Sequence, residues 1–197
     1  MRKRTLAAIL VAGAMSGAVP ARAQSPGGSD QPLEKIARKY LQTEYHWEGR
    51  LTHAHPGLDC LGLLFVALEK KYGISWKNWS VKPTELIRQL DKAHDKRTLL
   101  LSDSDESGLL KKLKPGDLIF LLRPVVLSGD SPAAKDGRGK NYYVWHTAIY
   151  DGGGKIMHAS PFPDERGNET YRVVEESLLP FMRNNSFDGI VAVTFRK

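Results

Sequence analysis

Leu58-Asp59-Cys60-Leu61-Gly62-Leu63-Leu64-Phe65-Val66-Ala67-Leu68 is apolar on nearly every side, and only at Glu69-Lys70-Lys71-Tyr72-Gly73 does the pattern turn to charge and then glycine. A run of this length, closed by lysines and a glycine, reads as a buried helix with a C-terminal stop. Cys60 then sits in its first turn. A helix N-terminus carries about half a positive charge from its aligned peptide dipoles. A thiol placed there, with a cationic histidine close by, falls from a pKa of ~8.5 toward ~3.5 to 7.5. The sequence meets the first condition locally; the histidine must come from far along the chain.

On the N-terminal side, residues 24–31, with Ser25-Pro26-Gly27-Gly28-Ser29-Asp30, read as a flexible lead-in. Pro32 opens a first helix, with Leu33, Ile36, Ala37, Tyr40 and Leu41 at helical spacing. Two further amphipathic stretches follow, Pro83 to Ala93 and Glu106 to Leu113, the second ended by Lys114-Pro115-Gly116. Beyond Pro115 the pattern becomes strand-like. Asp117 to Leu122, Tyr143 to Tyr150, Lys155 to Ala159, Thr170 to Val174 and Gly189 to Phe195 are short runs rich in Val, Ile, Tyr and Phe, interrupted by one helical piece, Glu176 to Met182. Helices first and strands afterwards predict an α+β fold, with N-terminal helices packed on an antiparallel sheet. Arg123 to Asn141 is a long connection without predicted structure, either a functional lid or a disordered insertion.

The chain has 197 residues, 41% apolar and 26% charged, which excludes a disordered or multi-span membrane protein. Its +7 charge is misleading. Met1 to Ala23 reads as a secretory leader: basic Arg2-Lys3-Arg4, an uncharged stretch from Leu6 to Val19, and Ala21-Arg22-Ala23 before the cut. That stretch is short against the ~20 residues a spanning helix needs. Cleavage before Gln24 removes four basic residues and no acid, so the +7 falls to +3, too mild for a nucleic-acid surface. The remaining residues make one domain, 32–197, expected to be exported to the periplasm or beyond, monomeric and free of the membrane. Exported proteins pair their cysteines or drop them, yet this chain has one. On the count alone, Cys60 is a small buried hydrophobe, half of an intermolecular disulfide, or a reactive thiol.

Six histidines are available: His46, His53, His55, His94, His146 and His158. The last two lie twelve apart on consecutive predicted strands joined by Asp151-Gly152-Gly153-Gly154, a hairpin signal. A three-residue loop, Asp151 to Gly153, sets Tyr150 opposite Gly154 and His146 opposite His158 on one face. A two-residue loop sends His146 to the other face. In the first register Cys60, His146 and His158 form a nucleophile, a base and a group that orients the base and fixes its tautomer. The Cys60 backbone amide is then the first oxyanion donor.

Three blocks resemble the signatures of the NlpC-type cell-wall cysteine peptidases: Leu58 to Leu63, Leu113-Lys114-Pro115-Gly116-Asp117-Leu118-Ile119-Phe120, and His146 to Ser160 with its two histidines. The resemblance spans about Pro32 to Phe195 and implies a papain-like fold. It further implies a cofactor-free thiol peptidase that cleaves peptidoglycan stem peptides, commonly between γ-D-glutamate and a diamino acid. It assigns Cys60 as nucleophile, His146 as base and His158 as the orienting residue. Tyr45, in Tyr45-His46-Trp47-Glu48-Gly49, is similar to the family's tyrosine near the oxyanion; ordinary packing is the alternative. Trp47, Asp59 and Leu61 fall where the substrate is expected. Asp59 is either a helix cap or a site for a substrate ammonium group, and its charge opposes thiolate formation. Leu61 stands where the family usually has serine, and Glu48 where it usually has a second glycine, which puts the exact substrate in doubt.

Three other readings compete. Cys60, the two strand histidines and His53-Ala54-His55 carry zinc-ligand chemistry, although Cys60 and His146 are far apart for a structural site. The same fold can bind the envelope without catalysis. The same chemistry can serve an amidase or acyltransferase, because a thioester is resolved by water or by an amine. Trp76 and Trp79 read as a packing cluster, and the basic runs Lys111-Lys112-Lys114 and Lys135 to Lys140 as solvated.

Overall fold

A computed structural model describes residues 28–91, 95–102, 105–125, 131–162 and 168–195. The leader at 1–23, residues 24–27 of the lead-in, His94 and residues 126–130 of the long connection lie outside the described residues. The helix that decided the reading, α2, runs Cys60–Tyr72. Asp59 caps it, accepting the Gly62 N–H at 2.6 Å, and Gly73 ends it at φ 68°, a left-handed cap that donates to Glu69 O. Leu61 through Leu68 are all buried. With apolar residues on every side, only burial between a sheet and other helices satisfies this segment. Each fully buried Leu or Phe contributes ~1.5–3 kcal/mol.

A seven-stranded sheet receives it. The strands are β1 (Asp95–Leu100), β2 (Leu118–Arg123), β3 (Ala134–Lys135), β4 (Asn141–Gly152), β5 (Lys155–Ser160), β6 (Arg172–Ser177) and β7 (Gly189–Thr194). All pairings are antiparallel, in the order β1-β7-β2-β4-β5-β6, with β3 added to β4. One face carries Leu118, Phe120, Leu122, Ile149, Met157 and Val191, packed against α2 together with α1 (Leu33–Arg38) and α3 (Pro83–Asp91). The opposite face carries Ile119, Leu121, Ala148, Tyr150, Ile156 and Ile190, under α4 (Glu106–Lys111) and α5 (Leu178–Asn184). The α+β expectation of helices on an antiparallel sheet holds, and the later helices cover its second face. Among the described residues no helix is long and apolar enough to cross a membrane.

Four local expectations need correction. β1 was not foreseen: its charged first half, Asp95-Lys96-Arg97, is largely exposed at the sheet edge, where charge protects against stray pairing, so apolar alternation is missing. Glu176 and Ser177 are strand rather than helix; α5 begins only at Leu178. The connection from Arg123 to Asn141 is not structureless where it is described. Asp136 accepts from the Arg138 and Lys140 amides to close a turn, β3 pairs with β4, and the Ser131 carbonyl accepts from Thr84 on α3.

The fourth concerns the β4–β5 hairpin. Gly152 pairs with Lys155, leaving Gly153-Gly154 as a two-residue loop, and Tyr150 pairs with Ile156. Both differ from the three-residue loop. A two-residue loop alone would separate the histidines, but a bulge between Tyr150 and Gly152 inserts Asp151 as an extra residue and restores the parity. His146 and His158 therefore share a face, set diagonally rather than directly opposite.

Candidate active site

Cys60 is the first residue of α2, and its sulfur lies beside Thr147 and the Leu61 amide. Thr147 Oγ1 is buried without a hydrogen-bond partner. β4 is bulged here: Leu121 pairs with His146 but Leu122 with Val144. The alternation breaks, so Val144 and Thr147 both face α2, while the His146 ring lies on the opposite face of the sheet against Phe162 and Phe181. Cys60, Val144, Trp145, His146 and Thr147 all line one cleft of about 410 Å³.

His146 is 2% exposed and His158 fully buried. Their rings meet edge to face, with His146 Nε2 and His158 Nδ1 at 2.9 Å. Phe162 and Phe181 close around the pair, with ring centroids 5.1 Å and 4.5 Å from His146 and His158 respectively. Nε2 of His146 is thus committed to His158. The expected contact between Cys60 and His146 is not formed: the side chain that β4 turns toward the sulfur is Thr147, and the two imidazoles lie on the other face of the sheet. Burial first, then His158 and Arg123, hold the His146 pKa well below 6.5, so the ring is neutral at pH 7.

The thiol departs from expectation. Burial and the neighbouring Asp59 carboxylate push the Cys60 pKa up to about 11, against the smaller lowering effect of Thr147 and the Leu61 amide beside the sulfur. The helix dipole does not outweigh desolvation at a sulfur packed between α2 and β4, and a neutral His146 supplies no cation. The resting pair is thiol and imidazole, not thiolate and imidazolium.

Tyr45 comes to the same place from the preceding loop, through a bridge to Leu58. Its hydroxyl is pushed up to about 12 by burial, then by Cys60 and Asp59. Asp59 accepts from the Gly62 amide and from Arg50 Nη1, both at 2.6 Å, which is the capping arrangement. Arg50 went unnoticed in the sequence, where it is one cation among many. It is 6% exposed, also donates to Gly49 O, and lies under the Phe65 and Trp76 rings. Leu61 is buried but borders the cleft, and Trp47 stands at its mouth, 80% exposed. Trp76 and His55 line the wall with Val81 and Pro83, whereas Trp79 packs on Phe195. His46 is exposed beside Glu44, and His53 is exposed. Among the described residues no three His, Cys, Asp or Glu groups are gathered to hold a metal ion.

No family model and no curated protein matches the chain. The chain is similar to solved NlpC/p60 domains. The NlpC/p60 domain of the peptidoglycan hydrolase SagA shares 22% identity over 83% of this chain and 96% of its own, at a TM-score of 0.47. The peptidoglycan hydrolase RipB of Mycobacterium tuberculosis shares 16% over 84% of this chain and 64% of its own, at 0.46. RipD of the same organism, described as a non-catalytic NlpC/p60 protein adapted to peptidoglycan binding, shares 16% over 84% and 98%, at 0.45.

Proposed function

We propose that this chain is an exported NlpC-type thiol peptidase that hydrolyses amide bonds in peptidoglycan stem peptides, between γ-D-glutamate and a diamino acid. The supporting observation is one cleft lined by Cys60 and by β4 residues Val144 to Thr147, with His146 Nε2 held 2.9 Å from His158 behind it; proton transfer requires the His146 ring to turn toward the sulfur. As Cys60 Sγ attacks the amide carbon, Nδ1 of His146 takes the thiol proton, and the S–C bond forms. The Cys60 amide and the Tyr45 hydroxyl stabilise the oxyanion. His146 returns the proton to the leaving amine as the C–N bond breaks. Water, deprotonated by the same nitrogen, then releases the acid and the free thiol. Because the resting thiol sits at about 11, proton transfer accompanies attack rather than preceding it. Trp47, Leu61 and the Asp59–Arg50 pair border the substrate, and the chain acts as a monomer without a cofactor.

Purified protein incubated with muropeptides, and separately with simple amides, identifies the substrate by product mass. Cleavage of muropeptides by the native chain and none by Cys60→Ala is expected. Wall binding unchanged by Cys60→Ala, with no turnover by either form, would favour an envelope-binding module. Products that carry an added amine instead of water would mark an acyltransferase.

A further inference from the structure

The row of polar groups does not stop at His158. β6 lies beside β5, with His158 opposite Val174 and Ile156 opposite Glu176. Glu176 therefore shares the face of the two histidines, one diagonal step from His158. Its carboxylate Oε2 is 3.8 Å from His158 Nε2, and the side chain is only 8% exposed. His158 Nε2 is buried with no hydrogen-bond partner, and so is Glu176 Oε1. The adjacent Glu175, on the opposite face of β6, takes Arg38 and Lys155. Two orphaned buried groups of complementary kind thus face each other across slightly more than the ~2.7–3.2 Å of an N–H···O bond. Leaving both unmade is costly, so a small side-chain rotation or a bridging water is favoured.

We propose that Glu176 is a positioning residue, the third member of a buried His146–His158–Glu176 relay. The inference rests on the peptidase reading above and extends it. The chemistry needs a bare Nδ1 on His146, so its proton must sit on Nε2 and be donated to His158 Nδ1. His158 then carries its own proton on Nε2, the nitrogen that faces Glu176. A carboxylate there accepts that proton's hydrogen bond and selects this tautomer of both rings. Without it, His158 can instead hold its proton on Nδ1 and donate to His146 Nε2. That moves the His146 proton to Nδ1 and occupies the site that must receive the thiol proton.

The test is 15N NMR of the histidine ring nitrogens at pH 8 in the native protein, Glu176→Gln and Glu176→Leu, alongside muropeptide kinetics. The native protein should show Nε2–H tautomers on both His146 and His158. Glu176→Leu should show protonated Nδ1 on His146 and a kcat lower by ~10- to 100-fold, by analogy with the cost of removing the carboxylate partner of a metal-ligating histidine. KM should stay unchanged. Glu176→Gln keeps an acceptor and should keep the native tautomers and most of the kcat. A native His158 with its proton on Nδ1 overturns the relay, as does a folded Glu176→Leu with native tautomers and kcat. If Glu176→Leu does not fold, the native tautomers decide. The NMR result does not depend on turnover, so native tautomers as expected without muropeptide cleavage would sink the peptidase reading and leave the relay standing.

Discussion

The raised thiol makes a quantitative demand on reactivity. With Cys60 at about 11, the thiolate fraction at pH 7.5 is ~3 in 10,000, against roughly 9% for an ordinary thiol at ~8.5. A more basic thiolate is also more nucleophilic; with a Brønsted slope of ~0.45, the difference of ~2.5 units returns about 13-fold. Iodoacetamide should therefore modify Cys60 roughly 20-fold more slowly than a free cysteine at pH 7.5. Its rate should climb about tenfold per pH unit up to about pH 10, measured by intact mass. Asp59→Asn sharpens the test. Asparagine can still accept the Gly62 amide but removes the carboxylate that helps raise the thiol, so alkylation at pH 7.5 should accelerate. The same change strands Arg50, whose partner is that carboxylate, at a cost of ~3–5 kcal/mol for a buried pair broken on one side. Alkylation must therefore be read well below the variant's melting temperature. A native rate that levels off below pH 9 would refute the reasoning, because it would mean a preformed thiolate–imidazolium pair.

Other outcomes follow from the same geometry. His146 has a depressed folded pKa, so its contribution is fully present above its unfolded pKa of ~6.5 and is lost as pH falls below it. Urea titrations at pH 7.5 and 5.5 should show that loss in the native protein and less of it in His146→Gln. A methyl group at Gly62 runs into the Gly49 carbonyl, so Gly62→Ala should cost ~1–3 kcal/mol and shift the loop that holds Tyr45 and Arg50, seen as a lower Tm and reduced kcat. Leu64→Ala, in the fully buried centre of α2, should cost ~2–5 kcal/mol in urea titration.

What could be read from the chain alone was whatever a single segment determines. α2 was legible because Asp59, an unbroken apolar run and Gly73 all agree on one helix. The hairpin was legible from its glycines, but its register was not: the parity of His146 and His158 depends on a bulge at Asp151, which no local signal announces. β1 hid behind the charges that suit an edge strand. Glu176 was misread because Glu-Glu-Ser-Leu-Leu fits a helix start as well as a strand end, and its neighbour His158 lies on another strand. Arg50 and Thr147 gain their roles only when separate segments meet at Cys60. The sign of the thiol shift was beyond the sequence for the same reason. The dipole is a property of one helix, whereas desolvation depends on what packs over the sulfur.

The central claim is that Cys60 becomes acylated by a peptide whose amine has left. Rapid-quench intact mass of the native protein with a γ-D-glutamyl-diamino acid muropeptide, followed by peptide mapping, observes that species. An adduct on Cys60 with the mass of the acyl fragment, appearing with the released amine and decaying to free enzyme, is the expected result. It should be absent in His146→Ala. Muropeptide turnover that proceeds unchanged in Cys60→Ala, with no adduct at any time, would contradict the account.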